Sequence, residues 1–198
     1  MPNPETKQLL FELESELIRQ DAPILHKLCQ GKTAEKLQDI FGTMGIPKNI
    51  QELYQWKNGT ITDDAPLGQC WLFPLGSLMS AEKSFRYYQN FVNSDEYWID
   101  GMFPVFESLG GDFYLIDINA TSPTKGFVFF YSRSAVDFET IISKYDSLET
   151  LLRTIVECFK SGVYFYNQLS GYLEFQFQLE REINIKNNPK SAYWTLFK

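Results

Sequence analysis

The sequence predicts an α+β domain. Two aromatic-rich runs of strand length, residues 109–117 and 126–131, are separated by a loop of turn-forming residues, which predicts a pair of β-strands. Neither run alternates between apolar and polar residues, so we expect the pair to be buried on both faces at the centre of the fold. Stretches with apolar residues at helical spacing precede and follow the pair, and no repeat or linker divides the chain. We therefore expect one domain over residues 1–198, with a helical extension over residues 163–198.

The first part of the chain is expected to be helical. Residues 5–19 carry leucines at helical spacing among charged residues, and a further helical stretch is expected over residues 23–30. Thr33 is a suitable N-cap for a short helix that ends between residues 42 and 45. These patterns predict N-terminal helices over residues 5–30, followed by a third helix after Thr33.

The next stretch is expected to form a helix, an acidic loop and a short strand. Pro47 suits the first position of a helix, and Asn58-Gly59 is expected to end that helix because both residues tolerate a left-handed backbone. A polar, acidic loop follows over residues 60–68. Residues 69–74, which include two aromatic residues, are expected to form a short strand.

One more helix and two more strands are expected around the central pair. Ser80 is expected to cap a helix that carries apolar residues at helical spacing. Residues 103–106 are expected to form a short strand before the central pair, and residues 138–142 could form a further strand after it.

The last part of the chain is expected to be helical, with one ambiguous segment. Asp146 or Ser147 is expected to cap a regular amphipathic helix, which ends at Gly162. Residues 172–186 fit both the alternation of a strand and the length of a helix. Their content of glutamate, glutamine and arginine favours the helix.

Composition and charge argue against several classes of protein. A net charge of −7 disfavours a nucleic-acid-binding protein, which needs a basic surface to neutralise phosphates, and it suits a basic protein partner better. No secretory signal and no run of about 18 apolar residues is visible, so neither export nor a membrane span is expected. Three widely spaced cysteines, Cys29, Cys70 and Cys158, are typical of a reducing compartment, and we expect the cytoplasm.

Motifs for catalysis, metal binding and cofactor binding are scarce. His26 is the one histidine of the chain, so any scheme with a catalytic imidazole has to use it. His26 and Cys29 could supply two zinc ligands, but a closed tetrahedral site needs four. Phosphate-binding loops, nucleophile elbows and dinucleotide-binding motifs are absent from the sequence. We expect His26 to lie at the surface, and we expect no metal and no cofactor.

Asp112 and Asp117 are the strongest candidates for a catalytic carboxylate pair. They lie five residues apart in one predicted strand, and side chains alternate across a strand, so the two carboxylates are expected to point to opposite faces. Only a bulge would bring them together. We favour an architectural role, in which Gly110-Gly111 forms a turn with positive φ and Asp112 accepts hydrogen bonds from nearby backbone amides. Gly126, before the second run, belongs to the same architecture.

A partner-binding surface is expected from exposed aromatic residues and loop carboxylates. Trp56 lies off the apolar face of its predicted helix, and aromatic residues of this kind anchor many protein interfaces. Acids in loops are free to meet a basic partner. The candidate contact residues are Trp56, Asp63, Asp64, Trp71, Asp95 and Glu96.

A set of short motifs follows in a recognisable order over about residues 33–160: Ile46-Pro47, Leu53-Tyr54, Asn58-Gly59, Gly110-Gly111-Asp112, Asp117, Gly126, Ser147-Leu148-Glu149 and Leu151-Leu152. This order resembles the SUKH superfamily, the group of fungal cell-wall-synthesis regulators and bacterial toxin-immunity proteins. The tail is similar to the helical extension of some bacterial members through Gly162, Tyr164, Tyr166, Gly171-Tyr172-Leu173-Glu174, Asn188-Pro189 and Tyr193-Trp194.

The resemblance implies a central, mostly antiparallel sheet flanked by helices, no cofactor, no catalytic residues at these positions, and function through protein binding. Our leading hypothesis is therefore a non-enzymatic protein of the immunity type, which neutralises a toxin, such as a basic toxin domain, by direct binding. A regulatory adaptor in cell-wall synthesis is the alternative within the same class. A small hydrolase that uses Asp112 and Asp117 is the alternative from another class.

Overall fold

The structure, a computed structural model, describes residues 4–63, 65–94, 100–132 and 142–196. Helix α1 spans Pro4–Arg19, as predicted, and a 3-10 turn follows over Pro23–His26. The prediction of a helix that continues to residue 30 is wrong, because strand β1, Leu28–Gln30, pairs antiparallel with strand β2, Lys57–Thr60. This pairing with a distant segment satisfies the backbone of residues 28–30 in place of a helix.

Two short helices connect β1 to β2. Helix α2, Ala34–Phe41, begins where predicted, because the Thr33 side chain accepts a hydrogen bond from Lys36 N. Helix α3 spans Lys48–Trp56, with Pro47 as its N-cap rather than its first residue.

The prediction that Asn58-Gly59 ends α3 is wrong, because both residues lie within β2. Gly59 has a φ of +93°, and an added Cβ would lie 2.8 Å from Ser80 N. Asn58 Oδ1 accepts a hydrogen bond from Ala81 N at 2.9 Å, so the asparagine caps the helix that begins there.

The segment between β2 and that helix differs from the prediction. Residues 69–74 do not form a strand; a 3-10 turn spans Leu67–Gln69, and a tight turn follows over residues 73–76. Strand β3, Ser77–Leu78, comes next. Helix α4, Ala81–Ser94, then begins after Ser80, whose hydroxyl accepts a hydrogen bond from Lys83 N, as predicted for a cap.

A five-stranded antiparallel sheet forms the centre of the fold. It contains β3, β4 (Met102–Glu107), β5 (Asp112–Asp117), β6 (Val128–Ser132) and β7 (Ser143–Tyr145) in chain order, each paired with the next. The central pair predicted from the two aromatic runs is β5–β6, with a regular register from Asp112 opposite Ser132 to Ile116 opposite Val128. The strand proposed over residues 138–142 falls mostly outside the described residues, and β7 begins at Ser143.

The sheet is covered on both faces. Tyr114 and Ile116 of β5 face the larger core cluster, which includes apolar residues of α1, α3 and, further along the chain, residues 148–159. Phe113 and Leu115 face a second cluster, which contains Phe91 of α4. The prediction that this strand is buried on both faces is confirmed.

Helix α5, Leu148–Lys160, follows the sheet and packs against α1. Ser147 is its N-cap: the Ser147 hydroxyl accepts from Thr150 N at 3.1 Å, and the Thr150 hydroxyl accepts from Ser147 N at 2.9 Å. This reciprocal capping box explains why the start of α5 could be predicted from local sequence.

The C-terminal extension contains a hairpin as well as helices. Strands β8 (Tyr164–Tyr166) and β9 (Leu173–Phe175) pair antiparallel, and helices α6 (Phe177–Asn187) and α7 (Ala192–Thr195) follow. The helical prediction for residues 172–186 is thus wrong for β9 and right from Phe177 onward. The predicted class, α+β with C-terminal helices, is confirmed.

Candidate functional site

The structure separates the predicted contact residues. Trp56 ends α3, and Trp71 lies beyond the acidic loop in a different cavity, whereas Asp63 is exposed in that loop. Three further candidates, Asp64, Asp95 and Glu96, lie outside the described residues. The three candidates that the structure describes therefore do not lie at one site.

Trp56 lies in a shallow cleft of about 290 Å³ between α1 and α3. Its Nε1 donates a hydrogen bond to Glu14 Oε2 at 3.2 Å, and the other oxygen of Glu14 pairs with Lys57 at 2.9 Å. Phe11 of α1 forms part of the same cleft and is 67% exposed. The indole of Trp56 is therefore half-buried and already held by α1.

Asp112 stabilises the turn between β4 and β5. Its carboxylate accepts hydrogen bonds from the hydroxyls of Ser108, at 3.1 Å, and Ser132, at 2.6 Å, and not from backbone amides as expected. In that turn positive φ values occur at Leu109, +65°, and Gly111, +99°. The turn thus needs a left-handed backbone at one glycine of the predicted pair.

Asp117 stabilises the loop at the opposite end of β5. Its carboxylate accepts hydrogen bonds from Asn119 N at 2.9 Å and from the Thr124 hydroxyl at 2.8 Å. Gly126 closes this loop with a φ of +87°. Five residues of strand at about 3.3 Å each separate the two aspartates by roughly 16 Å. Asp112 and Asp117 therefore do not form a carboxylate pair.

The ionisable residues outside these turns do not assemble a metal site among the described residues. His26 is exposed, and Cys70 and Cys158 are buried with their thiols free. Burial raises the pKa of both thiols, so neither is an activated nucleophile at neutral pH. In the same ranges of the chain, every helix is too short or too polar to span a bilayer.

A cleft of about 370 Å³ lies where the C-terminal extension meets the sheet, and we call it the aromatic groove. Aromatic and apolar side chains predominate in its lining, which also contains one lysine and one glutamate. Its lining residues are Trp71, Pro74, Leu75, Lys144, Phe175, Phe177, Glu180, Tyr193 and Trp194.

Lys144 of β7 lies among aromatic rings in this groove. Its Nζ is 5.1 Å from the centroid of Phe130, 5.2 Å from that of Tyr114 and 5.5 Å from that of Tyr193. Such distances allow cation–π attraction. Ser191 Oγ donates to Ser143 O at 2.9 Å, which fixes α7, and with it Tyr193, beside β7.

The Lys144 ammonium is only partly satisfied by the protein. It donates one hydrogen bond, to the Tyr114 hydroxyl at 3.1 Å, and it forms no ion pair within the described part of the chain. Burial lowers the pKa of Lys144 to about 8, against the opposing effect of the Glu180 carboxylate. The groove thus contains a cation that costs free energy to bury.

Glu180 of α6 is the other charged group of the groove, and it is the more deeply buried. Glu180 is only 7% exposed, and its Oε1 accepts a hydrogen bond from the Tyr164 hydroxyl at 2.7 Å. Burial raises the pKa of Glu180, although the Tyr164 hydroxyl and Lys144 act in the opposite direction.

A strained turn forms one edge of the groove. Leu75 has a φ of +63°, which L-residues with large side chains rarely adopt. The turn is held by a hydrogen bond from Gly76 N to Phe73 O at 2.8 Å and by one from the Tyr114 hydroxyl to Pro74 O at 3.1 Å. An added Cβ on Gly76 would lie 2.2 Å from the Phe73 ring, so this position requires glycine. Strain of this kind is often found at functional sites.

The rim of the groove exposes large apolar side chains. Phe177 is 57% exposed and Leu75 is 37% exposed, and Phe175 lies between these extremes. Exposed apolar residues that cluster around a cleft are typical of a surface that binds another molecule.

Sequence reasoning identified only Trp71 in this groove. Lys144 gave no signal, because a lysine in a short strand has no pattern that marks burial. The alternation of Phe175 and Phe177 with polar residues was a usable signal, since one side of a helix could not bury both residues. Their assignment to a helix concealed it.

Comparison with known proteins identifies a family to which most of the chain is similar. The model of the SMI1 / KNR4 family (SUKH-1) matches residues 31–154, which is more than half of the chain. The match runs from just before α2 to the middle of α5, and five of the nine residues that line the aromatic groove lie beyond it. A search of curated proteins returned no significant match.

Proposed function

The chain belongs to the SMI1 / KNR4 family (SUKH-1), and from this premise we propose that it is a non-enzymatic protein of the immunity type, which neutralises a toxin by direct binding. Membership supports a module of the immunity or cell-wall-regulator type, and it implies protein–protein interaction in general. We propose the cytoplasm as the compartment, because Cys70 and Cys158 are buried as free thiols.

The observation that carries the proposal is the exposed aromatic rim of the groove. Phe177 and Phe175 present apolar surface beside Trp71, and aromatic residues are enriched at the centres of protein interfaces. We propose that the partner covers this rim, so that Trp71 is the member of the predicted contact set that belongs to the interface.

The expected contribution of Phe177 follows from its exposure. A phenylalanine side chain offers about 200 Å², and 57% of it is exposed here. Covering that surface at about 25 cal/mol per Å² contributes roughly 2–3 kcal/mol. Replacement by serine should therefore weaken binding by roughly 30- to 100-fold.

The proposal is tested by affinity capture with matched variants. Tagged wild-type chain is used to capture partners from its native cells, alongside Phe177→Ser and the control Phe11→Ser, whose phenylalanine is exposed to a similar degree on α1. We expect one partner to be retained by the wild type and by Phe11→Ser and to be lost with Phe177→Ser. Loss with Phe11→Ser alone would place the interface at the Trp56 cleft instead.

Co-expression then distinguishes immunity from regulation. The captured partner is expressed in a naive host with wild-type chain, with Phe177→Ser or with neither. The immunity role predicts that the partner stops growth when alone, that the wild type restores growth, and that Phe177→Ser restores it poorly. A partner that is not toxic and acts in cell-wall synthesis would contradict the immunity role and support the adaptor.

A further inference from the structure

We infer that the aromatic groove binds a segment of the partner that carries a carboxylate, with the carboxylate on the Lys144 ammonium and an adjacent apolar side chain on the rim. The inference rests on the proposed function, since it assigns a chemistry to the partner of that same surface. It concerns one position in the contact, and it is compatible with a partner that is basic elsewhere.

Lys144 has bonding capacity that the described residues leave unused. An ammonium has three N–H donors, and among the residues that the structure describes one of them is used, by the Tyr114 hydroxyl. That hydroxyl in turn donates to Pro74 O, so its own proton is already committed. The ring faces around Lys144 attract the cation but cannot accept its remaining protons as a carboxylate can.

Lys144 is accessible to a ligand from two adjoining clefts. Lys144 is half-buried, and besides the aromatic groove it lines a neighbouring cleft of about 310 Å³, together with Leu75, Phe130, Ile142 and Tyr193. Lys144, Leu75 and Tyr193 are common to both clefts. An extended segment could therefore pass over the lysine with contacts on both of its sides.

The charged groups of the groove determine the sign of the charge that it accepts. Within the described ranges, the titratable groups that face Lys144 are Glu180 from α6, Tyr114 from β5 and Tyr193 from α7. Glu180 is more buried than Lys144, and its carboxylate already accepts a hydrogen bond from the Tyr164 hydroxyl. Lys144 is the more exposed of the two charged groups, so the groove favours an anion over a cation.

The apolar part of the ligand follows from the rim. Phe177 and Phe175 flank the opening on the side of the C-terminal extension, and Leu75 flanks it on the side of the sheet. A carboxylate next to a leucine or phenylalanine would satisfy both kinds of surface.

The test uses three capped peptides that differ only at the central side chain. Acetyl-Leu-Glu-Phe-amide and its Leu-Gln-Phe and Leu-Lys-Phe counterparts are titrated into the full-length chain, with binding followed by NMR at the indole N–H signals of Trp71 and Trp194. We expect saturable shifts, with the glutamate peptide bound roughly fivefold to tenfold more tightly than the other two. Lys144→Met should remove this preference, and the exposed Lys190→Met should retain it.

The inference is overturned by equal binding of the three peptides, by preference for the lysine peptide, by absence of saturable shifts at the two indoles, or by a glutamate preference that survives Lys144→Met. Phe177→Ser should weaken all three peptides alike. If Phe177→Ser still abolishes partner capture while the peptides show no dependence on Lys144, the proposed function stands and the carboxylate inference fails. If partner capture is also independent of Phe177, both fail.

Discussion

Replacement of Lys144 by methionine should stabilise the protein at neutral pH. Methionine keeps the length and most of the volume of the lysine side chain, and it removes the ammonium from among the aromatic rings. The Tyr114 hydroxyl loses a donor but still donates to Pro74 O, so no buried proton is left without an acceptor. The variant thus isolates the cost of burying the charge.

The size of the effect follows from the pKa of Lys144. A fall from the ordinary 10.5 to about 8 means that the ammonium is less favourable in the folded chain than in the unfolded chain. At 1.36 kcal/mol per pH unit this difference amounts to about 3 kcal/mol. A neutral amine could still form the hydrogen bond to the Tyr114 hydroxyl, which methionine cannot form, and this loss offsets roughly 1 kcal/mol of it. We expect Lys144→Met to raise the free energy of unfolding by about 2 kcal/mol at pH 7.

The pH dependence gives the prediction a distinct signature. Below pH 8 the lysine is protonated in both the folded and the unfolded state, and the cost is fully present. Between about pH 8 and 10.5 the folded chain releases a proton that the unfolded chain still binds, so the wild type gains stability relative to the methionine variant. The advantage of Lys144→Met should therefore shrink over this window.

Urea unfolding at pH 7, 8, 9 and 10 measures this difference, with Lys190→Met as the control for loss of an exposed lysine charge. Both chains contain the same buried tyrosines, so the effect of tyrosine ionisation on stability cancels when their free energies of unfolding are compared at each pH. A Lys144→Met variant that is less stable than the wild type at pH 7, or whose advantage does not change up to pH 10, would refute the reasoning. Either result would mean that the folded protein does not penalise the ammonium.

Three further predictions concern local interactions. Ser147→Ala should lower the free energy of unfolding by about 1 kcal/mol, because it removes the hydroxyl that accepts from Thr150 N; urea unfolding measures this. Burial raises the pKa of Glu82, but hydrogen bonds from Asn58 and Lys32 lower it to about 2, so Glu82 contributes stability above pH 4.5 that is lost as the pH falls towards 2. Because this carboxylate is about half exposed, we expect roughly 1 kcal/mol, and Glu82→Gln should remove that part of the acid dependence. Leu75→Asn should keep the free energy of unfolding within about 1 kcal/mol of wild type, because asparagine adopts the left-handed backbone with less strain and this offsets the lost burial. The same variant should bind the partner more weakly. Binding equal to that of the wild type would remove Leu75 from the interface.

The elements that could be predicted from sequence are those with local signals. Helix α5 has a capping residue at Ser147, a regular apolar face and Gly162 after its end. All three signals lie within the helix or next to its ends. The β5–β6 pair was predicted because continuous apolar runs are typical of strands covered on both faces.

The elements that could not be predicted from sequence depend on contacts between segments that are far apart in the chain. Asn58-Gly59 is a good local signal for the end of a helix, yet it lies in β2, where Asn58 instead caps the start of α4. Strand β1 exists because residues 28–30 find partners at 57–60. The aromatic groove combines Trp71, Lys144 and the C-terminal extension, which no local pattern connects.

The central claim is that this protein acts by binding a protein partner through the aromatic groove. The most direct measurement is the dissociation constant of the purified captured partner, determined by calorimetry for the wild type, for Phe177→Ser and for Phe11→Ser. The account predicts an increase of roughly 30-fold or more for Phe177→Ser and a change of less than about twofold for Phe11→Ser. Equal dissociation constants for Phe177→Ser and the wild type would contradict the claim.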